Sequence, residues 1–170
     1  MTPKIVGAML ILAACGGMGI SMASGHRRKE RMLRQIMTAV QCMACELQYR
    51  HTPLPGLMWL CAGETSGQIA RVFTAMAKEL ERQIAPDAAC CMHAVLEETP
   101  KLPRIITEKL RLLGRTLGRF DLSGQLSGLE TVNQLCKREL DGLLADRDSR
   151  LRSYTTLGLC AGAALVILFI

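Results

Sequence analysis

The feature that most constrains the fold is a pair of uncharged apolar segments, one at each end of the chain. Residues 5–24 are twenty positions without a formal charge, and residues 153–170 are eighteen more. At about 1.5 Å per residue, a helix of either segment is about 27 to 30 Å long, which matches the hydrocarbon core of a bilayer. We therefore expect transmembrane segments over 1–25 and 153–170, with a helical domain over 26–152 between them.

Basic residues border both apolar segments on their inner side. Because basic flanks stay in the cytoplasm, they predict a cytoplasmic central domain with both termini across the membrane. Residues 35–146 hold twelve basic and thirteen acidic side chains, so the net charge of +6 arises at the flanks and is poor evidence for nucleic-acid binding. The two clusters are Arg27, Arg28, Lys29, Arg31 and Arg34, then Arg147, Arg150 and Arg152.

Cys15 raises an alternative for the first segment. The sequence Leu-Ala-Ala-Cys at 12–15 resembles a bacterial lipobox, in which Cys15 would be lipidated after cleavage. The apolar run continues nine residues beyond Cys15, and the arginine cluster would have to be exported. A retained anchor is preferred, and lipidation, which would reverse the topology, is the alternative.

The eight cysteines do not form the pattern of a disulfide framework, since Cys15 and Cys160 lie in apolar segments and the others are expected in a reducing cytosol. Four cysteines and one histidine of the central region have the side-chain types of a zinc site. Their neighbours are apolar helical positions, where cysteine behaves as a small hydrophobe. Core packing is preferred over zinc, and no metal or cofactor is expected. The set is Cys42, Cys45, Cys90, Cys91 and His93.

Apolar residues recur at helical spacing through the central region, without sustained alternation. The pattern predicts an all-α bundle of about six helices, the first and last continuing into the apolar segments. Thr52 is expected to cap the second helix, Pro53 to occupy its first turn, and Gly63 to end it. The expected helix starts are about Lys4, Pro53, Ser66, Asp87, Arg104 and the position after Asp121.

No constellation of side chains resembles an active site, and no enzymatic activity is expected. His26, His51 and His93 have no neighbouring nucleophile or carboxylate pattern suited to acid-base work. Residues 114–119, Gly-Arg-Thr-Leu-Gly-Arg, lack the spacing, the Lys and the preceding strand of a phosphate-binding loop. Nucleotide hydrolysis by this chain is therefore not expected.

The same stretch predicts a corner between two helices. Gly118 can adopt the left-handed conformation after a helix, and Asp121 can cap the next helix. Gly114 can let two helices approach closely. The corner is interpreted as structural, with a partner-binding surface as the alternative.

Four arginines at spacings of seven, four and four share one face of the fifth helix. Such a stripe is usually the solvated side of an amphipathic helix. The alternative is a docking face for an acidic cytoplasmic partner. The four are Arg104, Arg111, Arg115 and Arg119.

Small residues one helical turn apart mark both apolar segments. Such spacing allows close helix approach, either between copies of the chain or between its two segments. Self-association into a homo-oligomer is one of these two alternatives. The residues are Ala13, Gly17, Ser21 and Gly25 in the first row, and Gly158 and Gly162 in the second.

Two motifs, at 46–54 and 113–125, carry a resemblance to a known family. Framed by the two apolar segments, the chain resembles the stage III sporulation protein AB family over nearly its whole length. The resemblance makes the two motif corners the candidates for partner binding or for determining the fold. The motifs are Glu46-x-x-Tyr49-x-His51-Thr52-Pro53-Leu54, and Leu113-Gly114-x-x-Leu117-Gly118-x-x-Asp121 followed by Gln125.

The resemblance implies a function in sporulation. The family's soluble part is similar to the cytoplasmic bundles of the platform protein in type II secretion and type IV pilus machines. The implied location is the mother-cell membrane around the forespore. The implied partners are a secretion-type ATPase, the stage III sporulation protein AA, and the other membrane proteins of the same operon. A non-enzymatic coupler between that ATPase and the membrane subunits is expected, with a membrane-anchored adaptor or regulator as the alternative.

Overall fold

The computed structural model describes the backbone of residues 2–50, 52–82, 87–99, 102–118 and 121–169, and the side chains within 25–145 of those ranges. The described backbone forms six α-helices and no strand, which confirms the all-α class. The helices are α1 Thr2–Tyr49, α2 Leu54–Glu64, α3 Gly67–Arg82, α4 Ala88–Glu98, α5 Arg104–Thr116 and α6 Leu122–Phe169.

The helices form a ring in which each packs on the next and α6 packs along α1. α2 returns along α1, since Cys61 Sγ lies 3.7 Å from the Ala39 carbonyl oxygen. α3 reverses again, since Trp59 Nε1 donates to Glu81 Oε1 at 2.7 Å. We call the end where α1 meets α2 and α5 meets α6 the tip, and the end holding the α2–α3 turn the base.

The core lies inside this ring and receives side chains from all six helices. Helical spacing predicts a buried stripe on α1, all of which is buried apart from Met37, which is half-buried. The spacing also predicts inward faces for α3 and α5. The described residues of those faces lie inward, with Leu80 and Ile105 at the margin, and Ile84 of the α3 face lies outside the described residues. The stripe predicted on α1 is Met32, Ile36, Met37, Val40, Met43 and Leu47. The large side chains removed completely from solvent include Leu33, Ile36, Met43, Leu57, Met58, Ile69, Phe73, Met76, Met92, Ile106, Leu110 and Leu113.

Most helix boundaries agree with the sequence pattern. Asp87 caps α4 as expected, because its Oδ1 accepts a hydrogen bond from the Cys90 amide at 2.7 Å. Gly63 does not end α2, which continues to Glu64. Residues 83–86, 100 and 101 lie outside the described residues. The sequence assigns 83 and 84 to the end of α3 and the others to the junctions on either side of α4.

Within the part of the chain whose side chains are described, no helix is long and apolar enough to span a bilayer. The two predicted membrane segments fall largely outside that part. So do the residues expected to pack helices in the membrane and the lipobox cysteine: Ala13, Gly17, Ser21, Gly158, Gly162 and Cys15.

Candidate functional site at the bundle tip

The structure brings the two sequence motifs together at the tip. A Cβ added to Gly118 would lie 3.7 Å from Leu54 Cδ1, so the α5–α6 corner touches the first residue of α2. Leu54 and Gly118 are 64 positions apart in the sequence. The predicted corners therefore form one joined surface, which is the candidate site.

The first corner is stabilised by a hydrogen bond that the sequence did not predict. Thr52 Oγ1 donates to Glu46 Oε2 at 2.8 Å, and Arg50 Nη1 lies 3.5 Å from Glu46 Oε1. The Glu46 side chain is only 15% exposed, whereas Arg50 is largely exposed. Glu46 therefore connects the last turn of α1 to the segment that enters α2.

The prediction that Thr52 caps α2 is wrong. The N-cap position is Pro53, in extended conformation with φ −62° and ψ 148°, and no side chain accepts from the first turn of the helix. Thr52 lies one residue too early to reach those amides, so its hydroxyl turns back to Glu46. Pro53 is likewise not inside the first turn. Pro55 lies there instead, at a position where a backbone N–H would have no helical partner, so the lack of an N–H in proline is tolerated.

The remaining residue described in the first motif points outward. Tyr49 closes α1 with 76% of its surface exposed, the largest exposure among the described large apolar side chains. An exposed aromatic side chain at a helix end is available to a partner. His51 lies outside the described residues.

The second corner has the predicted conformation. Gly118 has φ +75°, and the amide of buried Leu117 donates to the Leu113 carbonyl at 3.3 Å. A left-handed residue after a helix is sterically free only for glycine. The chain therefore reverses direction within the few residues between α5 and α6.

Asp121 caps α6 as predicted. Its Oδ1 accepts from the Gly124 amide at 3.1 Å, its Oδ2 accepts from Ser123 Oγ at 2.6 Å, and its carbonyl accepts from the Gln125 amide at 2.9 Å. The Ser123 hydroxyl first, and the Gly124 amide second, lower the pKa of Asp121 below its ordinary value. The carboxylate is therefore held ionised at the positive end of the α6 dipole.

Two glycines hold α5 close to its neighbours. A Cβ on Gly114 would lie 2.6 Å from Met92 Cβ and 3.3 Å from the Ala88 carbonyl oxygen, so α4 and α5 pack with no space for a side chain there, as expected. A Cβ on Gly128 would overlap the Thr116 side chain, so α5 and α6 also approach each other closely at this point. Gly128 was not predicted, although a small residue in the second turn of α6 was an available signal.

The described members of the predicted arginine stripe differ in their ion pairing. Arg104 is paired with Glu108, whose Oε1 accepts from Arg104 Nε at 2.9 Å. Arg111 is half-buried and Arg115 is exposed, and neither forms an ion pair with any described side chain. Arg119 lies outside the described residues.

Arg111 and Arg115 line a shallow depression on the outer face of α5, together with Glu108, Lys109 and Leu112. The Nε atom of Arg111 is buried there without a hydrogen-bond partner among the described residues. The depression combines the unpaired Arg111 and Arg115 with the side chain of Leu112, and its one carboxylate, Glu108, is paired with Arg104. This arrangement suits an acidic protein surface.

The cysteines divide between the core and the surface. Cys61, Cys91 and Cys136 are buried, whereas Cys45 and Cys90 are exposed, so core packing was the wrong interpretation for those two. Burial, followed by the neighbouring Cys42, raises the pKa of the Cys61 thiol to about 12. Among the described residues, no three His, Cys, Asp or Glu side chains are grouped to hold a metal ion.

These observations define the class of protein: an all-helical bundle in which two long terminal helices pack side by side and two motif corners join at the tip. A sequence profile described as stage III sporulation protein AB matches residues 4–170. The chain belongs to this family of sporulation proteins, which confirms the resemblance carried by the motifs.

A curated protein and a solved structure are both similar to this chain. The stage III sporulation protein AB of Bacillus subtilis (strain 168) is 27% identical over 169 residues, which cover 97% of this chain and 98% of the relative. A solved structure of a stage III sporulation protein AB superposes with a TM-score of 0.64 at 22% identity, covering 72% of this chain and 98% of the solved one. The second similarity supports the fold.

Proposed function

We propose that this chain is a non-enzymatic membrane component of a secretion-like or channel-like complex between mother cell and forespore. In this proposal the bundle couples a cytoplasmic secretion-type ATPase, the stage III sporulation protein AA, to membrane subunits of the same operon. The observation that carries the proposal is the pairing of α1 with α6, each a continuous helix of 48 residues.

The α1–α6 pair suits a mechanical connection. α1 ends and α6 begins at the tip, and the opposite parts of the same two helices contain the uncharged segments 5–24 and 153–170. A helix of 48 residues is about 72 Å long, and the described backbone of both helices is unbroken. A force applied at the tip would therefore reach the segments expected in the membrane without a flexible linker.

The location that we propose is the mother-cell membrane around the forespore, with the bundle in the cytoplasm. The support is the basic flank of each apolar segment, which favours the cytoplasmic side. Reporter fusions at both termini test this topology. Alkaline phosphatase is expected to be active at either end and green fluorescent protein to be dark, whereas the opposite pattern would contradict the proposed orientation.

For the ATPase contact, we propose the depression around Arg111 and Arg115 and the exposed Tyr49 at the tip. The support is positive charge without an ion pair, beside apolar surface, on the outside of the bundle. Positive side chains of this kind select an acidic partner and speed its encounter.

Co-purification of the full-length chain with the ATPase in mild detergent tests the coupling role. The double substitution Arg111→Glu with Arg115→Glu is expected to weaken binding at least tenfold, because like charges now face each other. The matched control is Lys78→Glu with Lys137→Glu, which makes the same charge change at two exposed positions on α3 and α6.

The outcomes separate the alternatives. Binding that survives the Arg111 and Arg115 reversal removes the depression as the docking site. Failure of the unaltered chain to recover the ATPase contradicts the coupling role. Recovery of the ATPase together with assembled membrane subunits, without any change in its turnover, would identify a scaffold instead of a coupler.

A further inference from the structure

The base of the bundle carries a basic surface that the ATPase contact does not use. Arg27, Arg28 and Arg31 are exposed on α1, and Arg71 is exposed on α3. We call these four residues the basal surface. We propose that the basal surface binds the headgroups of anionic phospholipids, an inference that rests on the membrane anchorage proposed above.

The two helices of the basal surface are held together by hydrogen bonds. Arg28 Nη2 donates to Gln68 Oε1 at 2.6 Å, and further along α1 Gln35 Nε2 donates to Ser66 Oγ. The α2–α3 turn is thus fixed against α1 at two levels. Since residues three apart on a helix are neighbours, Arg71 lies beside Gln68 and hence beside the guanidinium of Arg28.

Nearby acidic groups leave the positive charge of the basal surface in place. Glu30 forms an ion pair with Arg34, whose Nη2 atom lies 3.0 Å from Glu30 Oε1. The first turn of α3 has no acidic residue. Glu64 ends α2 and is exposed at the same end of the bundle. The four arginines of the basal surface outnumber this carboxylate, so the surface keeps a net positive charge.

The level of the turn along α1 matches that of lipid headgroups. Arg28 follows Ser24, the last residue of the uncharged segment, by a helical rise of about 6 Å. The polar layer on each side of the hydrocarbon core is about 5 to 8 Å thick. With 5–24 across the bilayer, Arg27 and Arg28 lie in this layer, and Arg31 lies about 3 Å beyond it, within the reach of its long side chain. Arg28 is also about 32 Å from Tyr49 at the tip, so the basal surface and the ATPase face are separate.

Guanidinium groups suit this ligand because their paired N–H donors match two phosphate oxygens. Each arginine near an anionic surface strengthens association by about fivefold. Arginines from two helices would also fix how the bundle stands on the membrane, which a single juxtamembrane stretch cannot do.

Lipid retention by the full-length chain tests the inference. The chain is incorporated into nanodiscs of equal phosphatidylglycerol and phosphatidylcholine, and the lipids that remain bound on release are counted by native mass spectrometry. The unaltered chain is expected to retain phosphatidylglycerol preferentially. Arg28→Gln with Arg71→Gln is expected to lower that preference by about 25-fold, two factors of about five. Lys78→Gln with Lys137→Gln removes two charges elsewhere and is expected to keep it.

Several results would overturn the inference. The first two are an unchanged lipid preference in the Arg28 and Arg71 variant and an equal loss of preference in the control. The third is displacement of the lipid by inorganic phosphate. The fourth is tighter binding of polyglutamate than of lipid, which would indicate an acidic protein partner. Circular dichroism verifies that both variants keep their helices. A chain that does not enter nanodiscs contradicts the proposed membrane anchorage, whereas one that enters without lipid preference contradicts only the basal surface.

Discussion

Leu54 packs against Gly118, with its Cδ1 atom 3.7 Å from the position that a Cβ on that glycine would occupy. The contact joins the start of α2 to the corner before α6. An extra methyl group at Gly118 would meet Leu54 at an ordinary van der Waals distance. The conformation of Gly118, and not the available space, therefore decides what a substitution there costs.

Replacing Gly118 tests this distinction. Gly118→Ala is expected to destabilise the protein by about 1 to 2 kcal/mol, because φ +75° is unfavourable for a residue with a Cβ. Gly118→Asn is expected to cost less, since asparagine tolerates this conformation. Urea unfolding of the full chain in detergent, monitored by circular dichroism, measures both. Equal losses in the two variants would indicate a steric cause instead.

Gly114 gives the opposite case, in which space decides. Gly114→Ala is expected to cost about 1 to 3 kcal/mol, because the new methyl would lie 2.6 Å from Met92 Cβ in a packed core. Gly142→Ala is the matched control. Nothing lies within 4 Å of that site, so the better helix propensity of alanine should stabilise by up to about 1 kcal/mol. The same unfolding measurement compares them, and a neutral Gly114→Ala would contradict close packing of α4 on α5.

A double-mutant cycle tests the bond between Thr52 and Glu46. Thr52→Val and Glu46→Met, which each remove one partner of the bond, are each expected to cost about 1 kcal/mol, below the usual range for a charged hydrogen bond because the site is partly solvated. The pair is expected to be non-additive by about the same amount. If Thr52 capped α2 instead, Thr52→Val would cost equally with glutamate or methionine at position 46.

The Asp121 cap should make stability sensitive to acid. Its pKa is lowered on folding, so the ionised carboxylate favours the folded state at pH above the ordinary carboxyl value. That contribution disappears as the pH falls through the lowered pKa. Melting temperatures at pH 7 and pH 3 are expected to differ less in Asp121→Asn than in the unaltered chain. An identical difference in melting temperature in the two proteins would show that Asp121 does not contribute to the acid sensitivity of the fold.

Thiol labelling at pH 8 should separate the cysteines by environment. Exposed Cys45 and Cys90 are expected to react first, whereas burial raises the pKa of Cys61 to about 12 and that of Cys136 to about 11. The buried thiols are protected both by their protonation and by their lack of access. Peptide mapping by mass spectrometry after brief labelling gives the order. Rapid modification of Cys61 in the folded protein would contradict the packing of α2 on α1.

The local elements of this fold could be predicted from the sequence. The caps and turns at Asp87, Gly118 and Asp121 follow from neighbouring residues, and the buried stripes follow from helical spacing. Thr52 was misassigned because the two prolines after it moved the start of α2 by one residue. The contact between Leu54 and Gly118 could not be predicted, since nothing in either motif encodes which helix ends meet. The same holds for the bond from Arg28 to Gln68.

The packing of α6 along α1 has a consequence for how the chain is made. The apolar face of α1, which includes Leu33 and Ile36, has no complete partner until Leu140 of α6 has been synthesised. Leu140 follows the end of α1 by about 90 residues, or about 5 to 20 s at ordinary rates of translation. During that interval the part of the domain that is synthesised first exposes its most apolar surface. The last helix to leave the ribosome is therefore the one that covers it.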